Sequence, residues 1–412
     1  MQKRLTILSD SPFIPTGYSD QSKKLADYLQ KRGWDIHYLA NAYQGQTITH
    51  AKLEGGRELN YTIYGQKMQP YFADIMSPHL KETNSDGFLI LLDTFMLMQA
   101  GFMNIDTAPA TTFFWYPSDG GAGLPIGCEN ILKKIDNPVA MAEFGQKQVK
   151  DYHNIDSLHI PHGVDAKMFY RLPDDQRNQL RANRGLQDKF VIGVVARNQP
   201  RKFLDRTIKA MRHVADKIPN AILFLHLDPK DPAQMWNIES IIKRYNLENR
   251  VVFSGMSALK GFPYEEMNNV YNVMDCFFLS TSGEGFGIPI IEAMSCQVPV
   301  VATDYTTTPE LVIKNNAGLG VNLAGVETID WFKTHSKEYD NLVTNGTMTG
   351  SWEVERGIMD IKHAAEQIEY LYNNPEKAQE MGVNGRKAVL EKYDFETKVG
   401  PAWEKLLLEK LK

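Results

Sequence analysis

Short apolar runs alternate with helix-length amphipathic stretches along this chain, and the rhythm occurs twice. In the first part LTILS breaks at Ser9-Asp10-Ser11-Pro12, and an amphipathic segment from about Ser19 to Lys31 leads into DIHYLA. Further runs are GFLILLD (87–93), TTFFWY (111–116), PVAMA (138–142) and LHIP (158–161). They are rich in β-branched and aromatic residues, which separates buried strand from buried helix. Residues 166–188 are polar, lack a strand-like run and predict a connector with a short helix. The rhythm restarts with FVIGVVA (190–196), AILFLHL (221–227), VVFSG (251–255), DCFFLS (275–280) and VPVVAT (298–303). Strands alternating with helices predict βαβ units and parallel sheets covered on both faces. The expected fold class is therefore α/β, with two doubly wound domains of similar size and a cleft between them. The Met-rich stretch FMLMQAGFM (95–103) has helical spacing and reads as core, and 343–352 reads as a turn-rich loop.

A chain of 412 residues has room for two domains. Its 45 Lys and Arg against 50 Asp and Glu give a net charge of −5, and neither half carries a basic excess. Nucleic-acid or anionic-membrane binding is thus not expected as the main activity. Cys128, Cys276 and Cys296 show no metal-ligand spacing and no CxxC, which predicts core thiols in a reducing cytosol. No apolar run approaches the roughly 20 residues that span a bilayer. The run from Leu5 to Leu8 is shorter than the roughly 7–15 residues of a secretory signal's apolar core. The expected location is cytoplasmic, with peripheral contact at the inner face of a membrane left open.

The richest chemistry lies in STSGEGFGIPIIEAMSCQVPVV, from Ser280 to Val301. A glycine-rich loop follows a buried strand there, and Pro289 suits the first turn of a helix. In a doubly wound sheet that edge binds ligands. Gly283, Gly285 and Gly287 would allow close backbone approach, and N–H groups at the helix start would attract an anion. Glu284 on the loop and Glu292 in the helix could meet hydroxyls or a cation. The plainer alternative is a turn with a capping Glu284 and a surface Glu292. VARNQPRKF places Arg197, Arg201 and Lys202 just beyond another strand, where a fork and a point charge suit phosphate. Gly17, in Pro15-Thr16-Gly17-Tyr18, opens a helix after the first strand. No GxGxxG stands there and no GxxxxGK[ST] occurs in the chain, which disfavours nicotinamide, flavin and P-loop enzymes.

These stretches resemble the retaining glycosyltransferases of family four, which have the GT-B architecture of two facing Rossmann-like domains. The resemblance is carried by Glu284-Gly285-Phe286-Gly287 with Glu292 (the family's E-x7-E), by Pro299-Val300-Val301-Ala302-Thr303, and by Pro309-Glu310-Leu311-Val312. Arg197 with Lys202, and Pro161-His162-Gly163-Val164-Asp165, add to it in the family's order. It implies an acceptor-side domain over 1–170, joined by a C-terminal helix at about 394–412, and a donor domain over 188–392. Arg197 and Lys202 would bind the donor diphosphate and stabilise charge on the leaving nucleotide. Glu292 would hold the ribose, and Glu284 with the N–H groups of Gly285, Phe286 and Gly287 would position the sugar. Gly17 would approach the diphosphate, and Ser254-Gly255-Met256 would contact the base.

The resemblance also implies no cofactor and no metal, and the chain has no Asp-x-Asp. Where such enzymes often carry a His, TFFWYPSDGG offers Asp119 as the candidate for contacting sugar or acceptor, with Asp93 second. His162 reads as structural, and Phe203 stands where glycine is common. The implied reaction moves a hexosyl group from a UDP- or GDP-linked sugar to an acceptor hydroxyl of a glycan, lipid, protein or modified base. A sugar-nucleotide epimerase on the same fold, or an inactive nucleotide-sugar-binding scaffold, is the alternative.

Overall fold

The computed structural model describes residues 2–53, 56–231, 234–257, 262–330 and 353–411. The loop expected at 343–352 lies outside them. The chain divides into two units.

The first unit contains Met1–Gly163 and Phe395–Lys412. It opens with β1 (Arg4–Asp10), α1 (Gly17–Gln30) and β2 (Asp35–Asn41). A small antiparallel pair, β3 (Ala51–Lys52) and β4 (Glu58–Leu59), precedes β5 (Thr62–Gly65). Next come α2 (Met76–Glu82), β6 (Gly87–Leu91), α3 (Thr94–Gln99), β7 (Thr111–Tyr116) and α4 (Cys128–Lys134). The series ends with β8 (Asn137–Ala140), α5 (Glu143–His153) and β9 (Leu158–His159). Seven strands form one parallel sheet in the order β5-β2-β1-β6-β7-β8-β9. β6 and nearly all of β7 are buried on both faces, which explains why their sequences run apolar without alternation. Thr16 caps α1: its Oγ1 accepts from the Ser19 N–H at 3.1 Å and donates to Asp10 Oδ2 at 2.7 Å. One hydroxyl thus fixes the helix start to the end of β1. In the Met-rich stretch Leu97 and Phe102 are buried, while Met96 and Met98 pack partly against them. Met103 is exposed, so the expected core reading fails at that end.

The second unit contains Val164–Thr328 and Glu355–Asp394. Its elements are α6 (Asp174–Ala182), β10 (Phe190–Val195), α7 (Leu204–Lys217), β11 (Ala221–His226), α8 (Ile238–Arg244) and β12 (Val251–Phe253). Then follow α9 (Met267–Asn272), β13 (Cys276–Leu279), α10 (Ile288–Ser295), β14 (Val300–Thr303) and β15 (Gly318–Val321). Six strands make a parallel sheet in the order β12-β11-β10-β13-β14-β15. β16 (Leu323–Asp330) and β17 (Glu353–Met359) pair as a separate ribbon. α11 (Ile361–Asn373) and α12 (Pro375–Ala388) follow. On α7 the buried Leu204, Ile208, Met211 and Val214 recur at helical spacing.

The division falls at Gly163–Val164, ahead of the expected 170. The reason is visible in the connector. The Tyr170 and Leu172 N–H groups donate to Asn268 and Asn272 of α9, and Arg177 and Arg181 of α6 both pair with Asp275. These bonds bind the connector to the second unit. The C-terminal helix α13 (Gly400–Lys410) buries Trp403 against Trp115 of β7, ring centroids 5.0 Å apart. All three cysteines are buried and free. Among the described residues no helix is long and apolar enough to cross a membrane.

Candidate functional site

In a doubly wound sheet the crevice opens where the strand order reverses, because the segments leaving the two flanking strands diverge. In the second unit that point lies between β10 and β13. The segments that follow, Arg197 to Lys202 and Ser280 to Gly287, therefore meet at one edge. Hydroxyls tie them together. Ser280 Oγ donates to the Lys202 carbonyl at 2.9 Å, and the Ser282 N–H and Oγ donate to the Arg201 carbonyl at 2.7 and 3.0 Å.

Glu284 stands between two cations. Lys202 Nζ donates to its Oε1 at 2.5 Å and Arg201 Nη1 to its Oε2 at 3.3 Å. Both Glu284 and Lys202 are buried. Burial pushes the carboxyl up, but the Lys202 and Arg201 charges outweigh it and hold Glu284 below the usual carboxylate range. Two cationic side chains thus converge at this edge of the sheet, a chemistry that suits a phosphate.

The cations beside Glu284 are Lys202 and Arg201. Arg197 is exposed, with its guanidinium 3.9 Å from Asp231, and is not brought to Glu284. Arg201 takes that place, because the single 3-10 turn Pro200–Lys202 sets Arg201 and Lys202 side by side. Phe203 closes the turn at φ +45, a left-handed backbone in which glycine would be at ease.

Of the three loop glycines, only Gly287 needs to be one for backbone reasons. Its φ is +101, and a Cβ there would lie 2.9 Å from Ile290 Cδ1. Gly283 and Gly285 do not have left-handed φ. The helix start also offers fewer donors than expected, since Pro289 has no N–H and the Ile290 N–H already donates to the Gly287 carbonyl. Glu292, one turn into α10, is buried rather than on the surface, and its Oε2 accepts from the Tyr271 hydroxyl at 2.5 Å. Phe286 is buried, and its carbonyl accepts from Thr307 Oγ1 at 2.7 Å.

Ser254-Gly255-Met256 follows β12, at the far end of the same sheet. The Ser254 N–H donates to the Leu225 carbonyl at 3.0 Å, the Met256 N–H to Ser254 Oγ at 3.3 Å, and Gly255 is exposed at φ +84.

The first unit has its own switch point, between β1 and β6. Gly17 opens α1 there and is exposed. The Tyr18 hydroxyl donates to Asp93 Oδ1 at 2.6 Å. Asp119, half-buried, lies in the loop after β7. His162 is interior, its ring edge against Trp115 with centroids 4.2 Å apart, and burial pushes it down to about 3.

Arg201's pairing, Tyr271 and the threonines at 306 and 307 were not singled out for the site from sequence. The adjacent Arg201-Lys202 dipeptide and the Thr306-Thr307-Thr308 run were the available signals. Tyr271 carried none, because within the short helix MNNVYN it is indistinguishable from a structural aromatic.

The two parallel-sheet units are those of the GT-B fold. Sucrose-phosphate synthase from Thermosynechococcus elongatus superposes with a TM-score of 0.75 at 18% identity, over 99% of each chain. Anabaena Alr3699/HepE in complex with UDP-glucose gives 0.70 at 16%, over 99% of this chain and 100% of that one. Residues 175–349 match the family model described as glycosyl transferases group 1. A GDP-mannose-dependent alpha-(1-6)-phosphatidylinositol monomannoside mannosyltransferase of Mycolicibacterium smegmatis is 30% identical over 178 residues, 42% of this chain and 44% of that protein. Mannosylfructose-phosphate synthase of Agrobacterium fabrum is 30% identical over 149 residues, 35% and 32% of the two chains. The chain thus matches these curated relatives over less than half of their own length.

Proposed function

We propose that this protein is a retaining glycosyltransferase that moves a hexosyl group from a UDP- or GDP-linked sugar to an acceptor hydroxyl. The observation that carries the reading is the buried Lys202–Glu284 pair with the partly exposed Arg201 beside it at the second unit's switch point, and Glu292 buried in the helix beyond. Lys202 and Arg201 bind the donor diphosphate and stabilise the charge that grows on the leaving nucleotide. Arg197, exposed near Asp231, adds a cation at the rim.

Glu284 has two tasks. It orients Lys202, and its carboxylate with the Gly285 to Gly287 backbone holds the donor sugar's hydroxyls. Glu292 holds the ribose, and Ser254, Gly255 and Met256 contact the base. Departure of the nucleoside diphosphate leaves an oxocarbenium-like sugar, which the acceptor hydroxyl attacks on the face just vacated while passing its proton to the departing diphosphate oxygen, so the anomeric configuration is kept. The two cations supply the charge stabilisation, and the reading includes no metal and no cofactor. The match to the group 1 family model and the GDP-mannose-dependent relative support the nucleotide-sugar donor.

Calorimetric titration with UDP, GDP and ADP, followed by cleavage assays with the corresponding sugars, tests the reading. One nucleotide binds, its sugar is cleaved, and Lys202→Ala and Glu284→Ala each lose turnover. Unchanged turnover in both variants removes the proposed site.

A further inference from the structure

Thr306 is a β-branched residue with φ +49, a region such side chains rarely enter. It is buried, and it lies in the segment between β14 and the turn of π-helix at Pro309–Ile313. Strain of this kind persists only where the surroundings over-determine it, and here both neighbours are fastened. The Tyr305 hydroxyl donates to the Glu355 carbonyl at 3.1 Å. Gly357 presses so closely on the Tyr305 ring that a Cβ would lie 2.8 Å from it. On the other side, Thr307 Oγ1 donates to the Phe286 carbonyl at 2.7 Å. Strand β17 also reaches the glycine-rich loop directly, the Gly357 N–H donating to the Ser282 carbonyl at 2.9 Å. Held from both sides, Thr306 turns its Oγ1 to accept the Glu284 N–H at 2.9 Å.

We propose that Thr306 is a positioning residue for Glu284: its strained backbone, loaded through Tyr305 by β17, pins the Glu284 peptide so that the carboxylate holds its place over Lys202. The proposal deepens the donor-site reading and rests on it for the role of Glu284. The Lys202 and Arg201 side chains attract the carboxylate, and their carbonyls hold the loop at Ser280 and Ser282. The Thr306 hydroxyl holds the Glu284 peptide itself, and displacement of a positioning group by about 1 Å costs up to about a hundredfold in rate. The ribbon β16–β17, with its anchor points at Glu355 and Gly357, thereby belongs to the site through its effect on loop 280–287.

The test uses the full chain with Thr306→Val, Thr306→Ser and Thr306→Gly. Hydrogen exchange at the Glu284 amide is expected to speed about tenfold in Thr306→Val, which loses the acceptor, and to return to the parent rate in Thr306→Ser. With whichever of UDP-glucose and GDP-mannose the parent cleaves, kcat falls about tenfold in Thr306→Val and Thr306→Gly while KM stays within about twofold. Thr306→Gly keeps or raises the thermal midpoint, because glycine accepts the left-handed backbone. A structural role alone would not combine unchanged stability with lost kcat. Unchanged exchange in Thr306→Val, parental kcat in Thr306→Gly, or a Thr306→Ser variant as slow as Thr306→Val overturns the proposal. The exchange measurement needs no substrate. Parental turnover in a parallel Glu284→Ala control would instead bring down the donor-site reading and leave the exchange result standing.

Discussion

Tyr18 and Asp93 join across the switch point of the first unit, hydroxyl to carboxylate at 2.6 Å, as Lys202 and Glu284 join across that of the second. The Tyr18 bond ties the first turn of α1 to the segment after β6, and so steadies the helix start that carries Gly17. Tyr18→Phe is expected to lower stability by roughly 1 kcal/mol, since the pair is only half-buried and a hydrogen bond to a charged group is worth about 1.5–3 kcal/mol. Chemical denaturation measures it. A variant as stable as the parent would show that the bond contributes nothing.

Lys202 and Glu284 are buried as a pair; removing Glu284 takes away the carboxylate that Lys202 bonds, and removing Lys202 leaves Glu284 with the more distant Arg201. Glu284→Gln alone and Lys202→Met alone should each cost about 3–5 kcal/mol, and the double variant distinctly less than their sum. Arg201→Ala should cost less than either, because Arg201 is more exposed and 3.3 Å away. A double-mutant cycle by urea denaturation reads the coupling; simple additivity would contradict the buried pairing.

Tyr271→Phe leaves Glu292 without the hydroxyl that donates to it at 2.5 Å. Loss of a bond to a buried carboxylate is expected to cost roughly 2 kcal/mol of stability. Affinity for the preferred nucleoside diphosphate should also weaken, because the ribose-holding carboxylate is no longer oriented. Calorimetry with UDP and GDP checks this, and full affinity in the variant would detach Glu292 from the ribose.

Burial pushes His162 down to about 3, and His79 and His226 down to about 4, from the ordinary 6.5. The fold therefore favours the neutral rings, while the unfolded chain takes up protons first as pH falls. Their contribution is complete above about pH 6.5 and is lost progressively as pH drops toward 3–4. Each unit of displacement corresponds to about 1.4 kcal/mol. The denaturation midpoint should fall between pH 6.5 and 4.5, and His162→Phe, which keeps a ring against Trp115, should flatten that fall. An equally steep profile in His162→Phe would assign the loss to other groups.

Strand positions were legible in the sequence because a strand buried on both faces must be apolar throughout. TTFFWY is β7 residue for residue, and FVIGVV is β10. The strands at Thr62–Gly65 and Gly318–Val321 were not legible. They lie at the edges of their sheets, are short and contain glycine, so they leave little apolar signal.

The loop glycines divide in the same way. The spacing offered all three glycines for close backbone approach, and of the three Gly287 takes a left-handed φ. Dihedral angles follow from how the loop closes onto its neighbours, and spacing does not carry that information.

By itself the sequence determined which segments would be buried strands and which residue types stood beyond them. Both follow from local composition, since burying a strand or binding an anion demands particular side chains at particular intervals. Tertiary structure alone decided that Arg201 rather than Arg197 meets Glu284, that Tyr271 donates to Glu292, and that Thr306 is bent to reach the Glu284 amide. Those contacts join residues 21 to 83 positions apart, and the order of strands in a sheet sets them, which no periodicity along the chain encodes.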